Sequence, residues 1–292
     1  MNPIASRHLE KALKYEKNGR TADAIDHYQK AIKSAPRWSV PWYNLGLLHK
    51  YHCNWEQSLR CNQKAAALDP KDEAAWWNLG IAATALGDWA EARRAWKTFG
   101  VPISEGDGPI EEDFGITPIR LNPDDGGEVV WCKRIDPARA IIRNIPFPES
   151  GHRYGDLVLH DGAPVGHRKL NGRDVPVFNA LELLIPSEFG TYTVTVDGAT
   201  SEEVEVLVEL ASEKKLFAED WSQIRVICKV CSEGHPPELK HEHDRDPKPD
   251  RLVTFAAHSE DEVREMLRRW QEKTPNAEIV EVECSLEPAF VN

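Results

Sequence analysis

Trp42-Tyr43-Asn44-Leu45-Gly46 returns 34 residues later as Trp76-Trp77-Asn78-Leu79-Gly80, with the Trp-x-x-Leu-Gly spacing kept. Pro36 and Pro70 stand the same distance apart. A fixed period of this length marks one small unit repeated along the chain, too small to bury its apolar face alone and so stacked on its neighbour. The preceding unit is degenerate at the matching places, His8, Lys11 and Ala12, and regains the pattern at Tyr15, Gly19, Ala24, Tyr28, Ala31 and Pro36. Gly46 and Gly80 let two helices approach closely. Gly19 and Gly87 fall where the first helix of a hairpin must end, a place that favours a left-handed residue. Ala24, Ala31, Ala65 and Ala92 are small residues for the face where the second helix crosses the first. Pro36 and Pro70 close their units, since proline cannot continue a helix. Three helical hairpins are expected, at about residues 5–38, 39–72 and 73–104.

This pattern resembles the tetratricopeptide repeat family over roughly residues 5–104. The resemblance implies an all-α superhelix over 1–104 whose concave face is lined by the first helix of each hairpin. Ser6, Leu9, Leu13, Glu16 and Lys17 would line it in the first unit, and Val40, Tyr43, Leu47, Lys50 and Tyr51 in the second. Ala74, Trp77, Ile81, Thr84 and Ala85 would do so in the third. Its anchors are then Leu9, Leu13, Tyr43, Leu47, Tyr51, Trp77 and Ile81, a mostly apolar and aromatic strip suited to a protein or peptide partner. Some family members clamp a chaperone's terminal carboxylate with Lys and Asn in the first unit, Asn in the second, and Lys and Arg in the third. Here only Asn44 matches; the other places hold Leu9, Leu13, Ala74 and Asn78. Chaperone-tail binding is therefore disfavoured. Either a partner segment or this chain's own downstream residues would fill the groove.

The bulk numbers set the class. The chain has 292 residues, 41% apolar and 29% charged, a soluble composition with room for two or three domains. Its net charge of −12 argues against sequence-independent binding to nucleic acid or to an anionic membrane, and allows a basic partner. No export signal opens the sequence and no stretch is long enough to span a bilayer, so a cytoplasmic location is expected. In that setting the six cysteines read as thiols or metal ligands.

Residues 105–127 are acidic and rich in Pro and Gly, and read as a linker. Phe114, Ile116, Ile119 and Leu121 are the expected cover for the third repeat. A small β-rich module is expected over 128–188, with strands at Val129–Cys132 and Ala140–Ile142. Hairpin signals stand at Asp161-Gly162 and Asn171-Gly172. An α+β domain is expected over 189–292. Its strands are placed at Thr191–Val196, Ile224–Val230, Arg251–Ala257 and Ile279–Val282. Its helices are placed at Ser201–Leu216 and from the cap Ser259 to about Lys273, where Glu262 would complete a capping box. The order β-α-β-β-α-β matches the ferredoxin-like arrangement.

A Cys/His loop over 228–250 carries Cys228, Cys231, His235, His241 and His243. Thiolate and imidazole at this density suit one tetrahedral Zn²⁺ in a structural role, the only cofactor the sequence points to; a solvated loop is the other reading. A redox dithiol is disfavoured, because Cys228 would end a strand rather than begin a helix. His152, His160, Asp161 and His167 gather near expected turns and form the weak case for an enzyme. No phosphate loop, dinucleotide fingerprint or Gly-x-Ser-x-Gly is present. A non-enzymatic interaction scaffold is the leading expectation. The alternatives are an immunity- or antitoxin-type binder of a basic protein, and an enzyme with its site in the carboxy-terminal half.

Overall fold

The computed structural model describes residues 2–125, 127–223 and 251–289. Its contacts fall into two compact units, Met1–Glu112 with Asp136–Ala138, and Asp113–Ile135 with Arg139–Asn292.

The first unit is six helices in three hairpins: α1 (Pro3–Lys17), α2 (Thr21–Ser34), α3 (Ser39–Tyr51), α4 (Trp55–Leu68), α5 (Glu73–Ala85) and α6 (Trp89–Thr98). The sequence period reappears as a repeated bond. Trp42 Nε1 donates to the carbonyl of Pro36, and Trp76 Nε1 to that of Pro70, at 3.2 and 3.1 Å. Helix crossing explains the glycines. A Cβ on Gly80 would lie 2.5 Å from the ring of Trp96, and one on Gly46 2.7 Å from the amide of Asn62. The first hairpin carries Ala12 and Tyr28 at the corresponding places, both fully buried in one apolar cluster. The largest partner, Trp96, thus stands over a residue with no side chain.

Gly19 and Gly87 end α1 and α5 in the left-handed region, at φ 70° and 68°. Cys53 holds the matching place after α3 at φ 53°, where a Cβ is strained. Beyond α6 the chain folds back: Arg93 donates to the carbonyls of Ser104 and Gly108 at 3.1 and 2.6 Å, and Ile110 is buried.

The second unit begins inside the stretch read as linker. Strand β1 (Ile116–Arg120) pairs with β2 (Val129–Arg134), followed by β3 (Arg139–Ile142), β4 (Leu157–Leu170) and β5 (Arg173–Ile185). The five close into a barrel because β1 also pairs in parallel with β5. Ile119 and Leu121 fill its core with Val130, Cys132, Ala140, Ile142 and Val158, while Ile116 is 42% exposed. The expected role of Ile119 and Leu121 as a cover for the third repeat is thereby corrected. Five strand residues flanked by Pro, Gly and acids gave too short a pattern to stand out.

The two hairpin signals part company. Asn171 and Gly172 turn β4 into β5 with φ 49° and 79°. Asp161-Gly162 does not turn; it lies within β4, at an irregularity in the pairing. There Asp161 Oδ1 accepts the N–H of Gly162 at 2.7 Å, so the side chain serves local backbone geometry.

The remaining described strands and α-helices are β6 (Gly190–Asp197), α7 (Ser201–Glu213), β7 (Phe217–Asp220), β8 (Arg251–Ala257), α8 (Glu260–Gln271) and β9 (Glu278–Leu286). The sheet runs β7-β8-β6-β9 with every neighbour antiparallel. Val194, Val253 and Phe255 on one face pack with Val204 and Leu207 of α7 and Met266 and Trp270 of α8. The strand expected at Ile224–Val230 lies outside the described residues, and β7 stands earlier than it. The complete capping box opens α7, from Thr200 and Glu203. At α8, Ser259 caps Glu262, but the Glu262 carboxylate accepts from the N–H of His258 rather than closing the box. No helix among the described residues is long and apolar enough to cross a membrane.

Candidate functional site

The first helix of each hairpin presents a graded strip. In α1 and α3, Leu13 is 45% and Tyr51 53% exposed, while Leu9, Tyr43 and Leu47 are half-buried. In α5, Ile81 is fully buried and Trp77 packs edge-on against Trp96 and Phe99, ring centroids 5.1 and 5.3 Å away. The cause is compositional. From Asn78 to Thr84 helix α5 is mostly apolar on every side, with Leu79, Ile81, Ala82, Ala83 and Thr84 all buried, whereas Glu73 and Ala74 of its first turn are exposed. Of the seven expected anchors, Leu13 and Tyr51 are exposed, Leu9, Tyr43, Leu47 and Trp77 are half-buried, and Ile81 alone is fully buried.

Two polar residues of the strip, Glu16 and Lys50, are engaged in structure. Glu16 accepts the hydroxyl of Tyr28 at 2.5 Å, and burial, then this bond, raises the Tyr28 phenol above its ordinary range. Lys50 is only 2% exposed; its Nζ donates to Asn78 Oδ1 at 3.0 Å and lies 4.6 Å from the centre of the Tyr51 ring. That bond ties α3 to α5. The equivalent Asn44 instead donates to the carbonyl of Val40 in its own helix, so the in-register asparagines do different work. The Lys50–Asn78 pair was missed in the sequence, where Lys50 reads as a groove cation. Its signal was a polar Asn in the middle of the mostly apolar α5.

The carboxy-terminal candidates are dispersed in role. His160 is fully buried, stacked on Phe178 at 5.3 Å, and its Nδ1 bonds the backbone carbonyl of Asp161 rather than the carboxylate. Burial, then the Arg134 charge, pushes its pKa down to about 3, so the ring is neutral at physiological pH. His152 Nδ1 lies 3.4 Å from Oδ2 of the buried Asp156. That carboxylate accepts the backbone N–H of Ser187 at 2.7 Å and of Arg153 at 2.8 Å, a structural post. His167 is exposed on β4.

Cys228, Cys231, His235, His241 and His243 lie outside the described residues. Among the described residues no three His, Cys, Asp or Glu side chains gather as metal ligands.

Residues 43–96 match the Tetratricopeptide repeat family. No curated protein matches the chain. Similar solved structures include the second TPR of Spaghetti (RPAP3) bound to an HSP90 peptide, at 21% identity over 34% of this chain and 93% of that one, TM-score 0.32. The Arabidopsis OM64 TPR domain is 21% identical over 34% of this chain and 82% of its own, TM-score 0.31. The TPR2B domain of yeast Sti1, in complex with pHsp70, is 19% identical over 33% and 77%, TM-score 0.31.

Proposed function

We propose that this chain, whose helical third is a tetratricopeptide repeat region, is a non-enzymatic interaction scaffold that holds a protein or peptide partner on the exposed strip of its first two hairpins. The observation that carries this reading is the contrast along the strip: Leu13 and Tyr51 remain open while Ile81 is buried. Large apolar side chains left exposed on one face are the usual anchors of a partner segment. The chaperone-type clamp is missing at Leu9, Leu13, Ala74 and Asn78, so the partner is held by apolar and aromatic contact. Capture from lysate of the source organism, comparing wild type with Leu13→Ala/Tyr51→Ala, tests it. Loss of a band in the double variant supports the reading, and equal capture by both proteins sinks it.

Two finer points belong to the same proposal. The β6-to-β9 region is read as a ferredoxin-like unit, supported by its antiparallel order β7-β8-β6-β9 and by two helices packed on one face. A structural zinc ion on Cys228, Cys231, His235, His241 and His243 is supported by ligand chemistry alone. Elemental analysis of the purified protein decides it: about one zinc per chain is expected, and none would remove the site. The scaffold is placed in the cytoplasm, where such thiols stay reduced.

A further inference from the structure

The helix-free face of the β6–β9 sheet carries a cavity, and strand register builds it. Thr193 and Thr195 of β6 stand opposite Glu283 and Glu281 of β9. On their other side they stand opposite Thr254 and Leu252 of β8. Opposed residues of an antiparallel pair share a face, so two carboxylates, three hydroxyls and a leucine project together, away from α7 and α8. The segment Phe147-Pro148-Glu149 and the ring of Trp221 complete the walls around about 450 Å³, open to solvent on one side. The Phe147 and Trp221 rings lie 4.8 Å apart at 58°. Ser285 also lines the cavity, its hydroxyl 2.8 Å from that of Thr193; the Thr254 hydroxyl, opposite Thr193 but fully buried and outside the lining, has no hydrogen-bond partner among the described residues.

The chemistry of this lining is one-sided. Glu149, Glu281 and Glu283 line the cavity, and among the described residues no Lys, Arg or His does. Just behind the Phe147 wall, Glu128 accepts the Phe147 N–H with both oxygens. Chiefly burial pushes that carboxyl up to about 7, with smaller contributions from the charges of Glu149 and Glu219. Aromatic faces beside carboxylates attract a cation. A planar cation that can lie on a ring while forking to oxygens fits better than a compact ammonium.

We propose that this cavity receives an arginine side chain presented by a polypeptide partner, its guanidinium lying against Phe147 and Trp221 and bonded to Glu281 and Glu283. The open side leaves room for the partner's backbone to remain outside. The site is built from residues of the second unit alone and shares none with the repeat strip.

Titration calorimetry on the full chain, with N-acetyl-arginine amide as probe, tests the assignment. One saturable site is expected. N-acetyl-citrulline amide, of the same shape but neutral, should not bind, and N-acetyl-lysine amide should bind at least threefold more weakly. Glu281→Gln/Glu283→Gln, both at exposed positions, should weaken the arginine probe at least tenfold with the melting curve unchanged. Glu56→Gln/Glu73→Gln removes the same charge from the repeats and should stay within twofold of wild type. Equal binding of the citrulline or lysine probe overturns the guanidinium. No effect of the strand variant, or an equal effect of both double variants, overturns the cavity. Free arginine binding more tightly than the blocked probe overturns the polypeptide source.

Discussion

In the repeat unit one contact recurs, Trp42 to Pro36 and again Trp76 to Pro70, each spanning six residues. In the second unit the decisive contact occurs once and spans the whole barrel, where β1 meets β5 at Ile119 and Phe178. Their charge differs too. Residues 1–104 hold 15 Lys and Arg against 10 Asp and Glu, and residues 105–292 hold 21 against 38. A local and repeated design announces itself in sequence, whereas a closed barrel depends on pairings that no short window contains. The acidic balance of the second region accords with the cationic partner proposed for its sheet.

The largest expected effect breaks the repeat side of the comparison. Gly80→Ala forces a Cβ against the buried Trp96 and should cost about 2–3 kcal/mol in denaturant unfolding followed by circular dichroism. The same change at Gly46 meets an Asn62 side chain rather than an indole and should cost less.

A smaller effect sharpens the other side. Glu128 holds its proton more tightly when folded, its carboxyl raised from 4.5 to about 7, chiefly by burial. The Glu128 contribution to stability should therefore be fullest below pH about 4.5, fall as pH rises to about 7, and stay reduced above, opposite in sign to that of the buried neutral His160, whose contribution is lost as pH falls. Glu128→Gln should flatten that slope and add of order 1 kcal/mol at pH 8, screening considered. A melting-temperature series from pH 4 to 8 on both proteins checks the sign.

The smallest effect restores the period. Cys53→Gly puts glycine at the one hairpin turn lacking it and should stabilise by about 0.5–1 kcal/mol, read from the shift in denaturation midpoint.

How much was legible follows from the same contrast. The Trp, Gly and Pro positions of the repeats could be placed because each appears at least twice, and Ala12 beside Tyr28 shows even the degenerate unit obeying the rule. Helix α5 hid the burial of Ile81, which occupies the same place as the exposed Leu13; only the helix's mostly apolar composition distinguished it. Strand β1 was hidden among prolines and acids. Asp161-Gly162 imitated a turn while serving an irregularity inside β4. The sheet cavity was beyond reach, because Phe147, Trp221 and Glu283 come together only through register. In the repeats, by contrast, Leu13 and Tyr51 could be named as anchors from family resemblance, and both are exposed.

Binding of the captured partner by the full chain, measured by calorimetry for wild type and for Leu13→Ala/Tyr51→Ala, addresses the central claim most directly. Two anchors removed from exposed positions should raise Kd at least tenfold, about 1.4 kcal/mol or more, with melting unchanged. An unaltered Kd would contradict the assignment of the exposed strip as the binding surface.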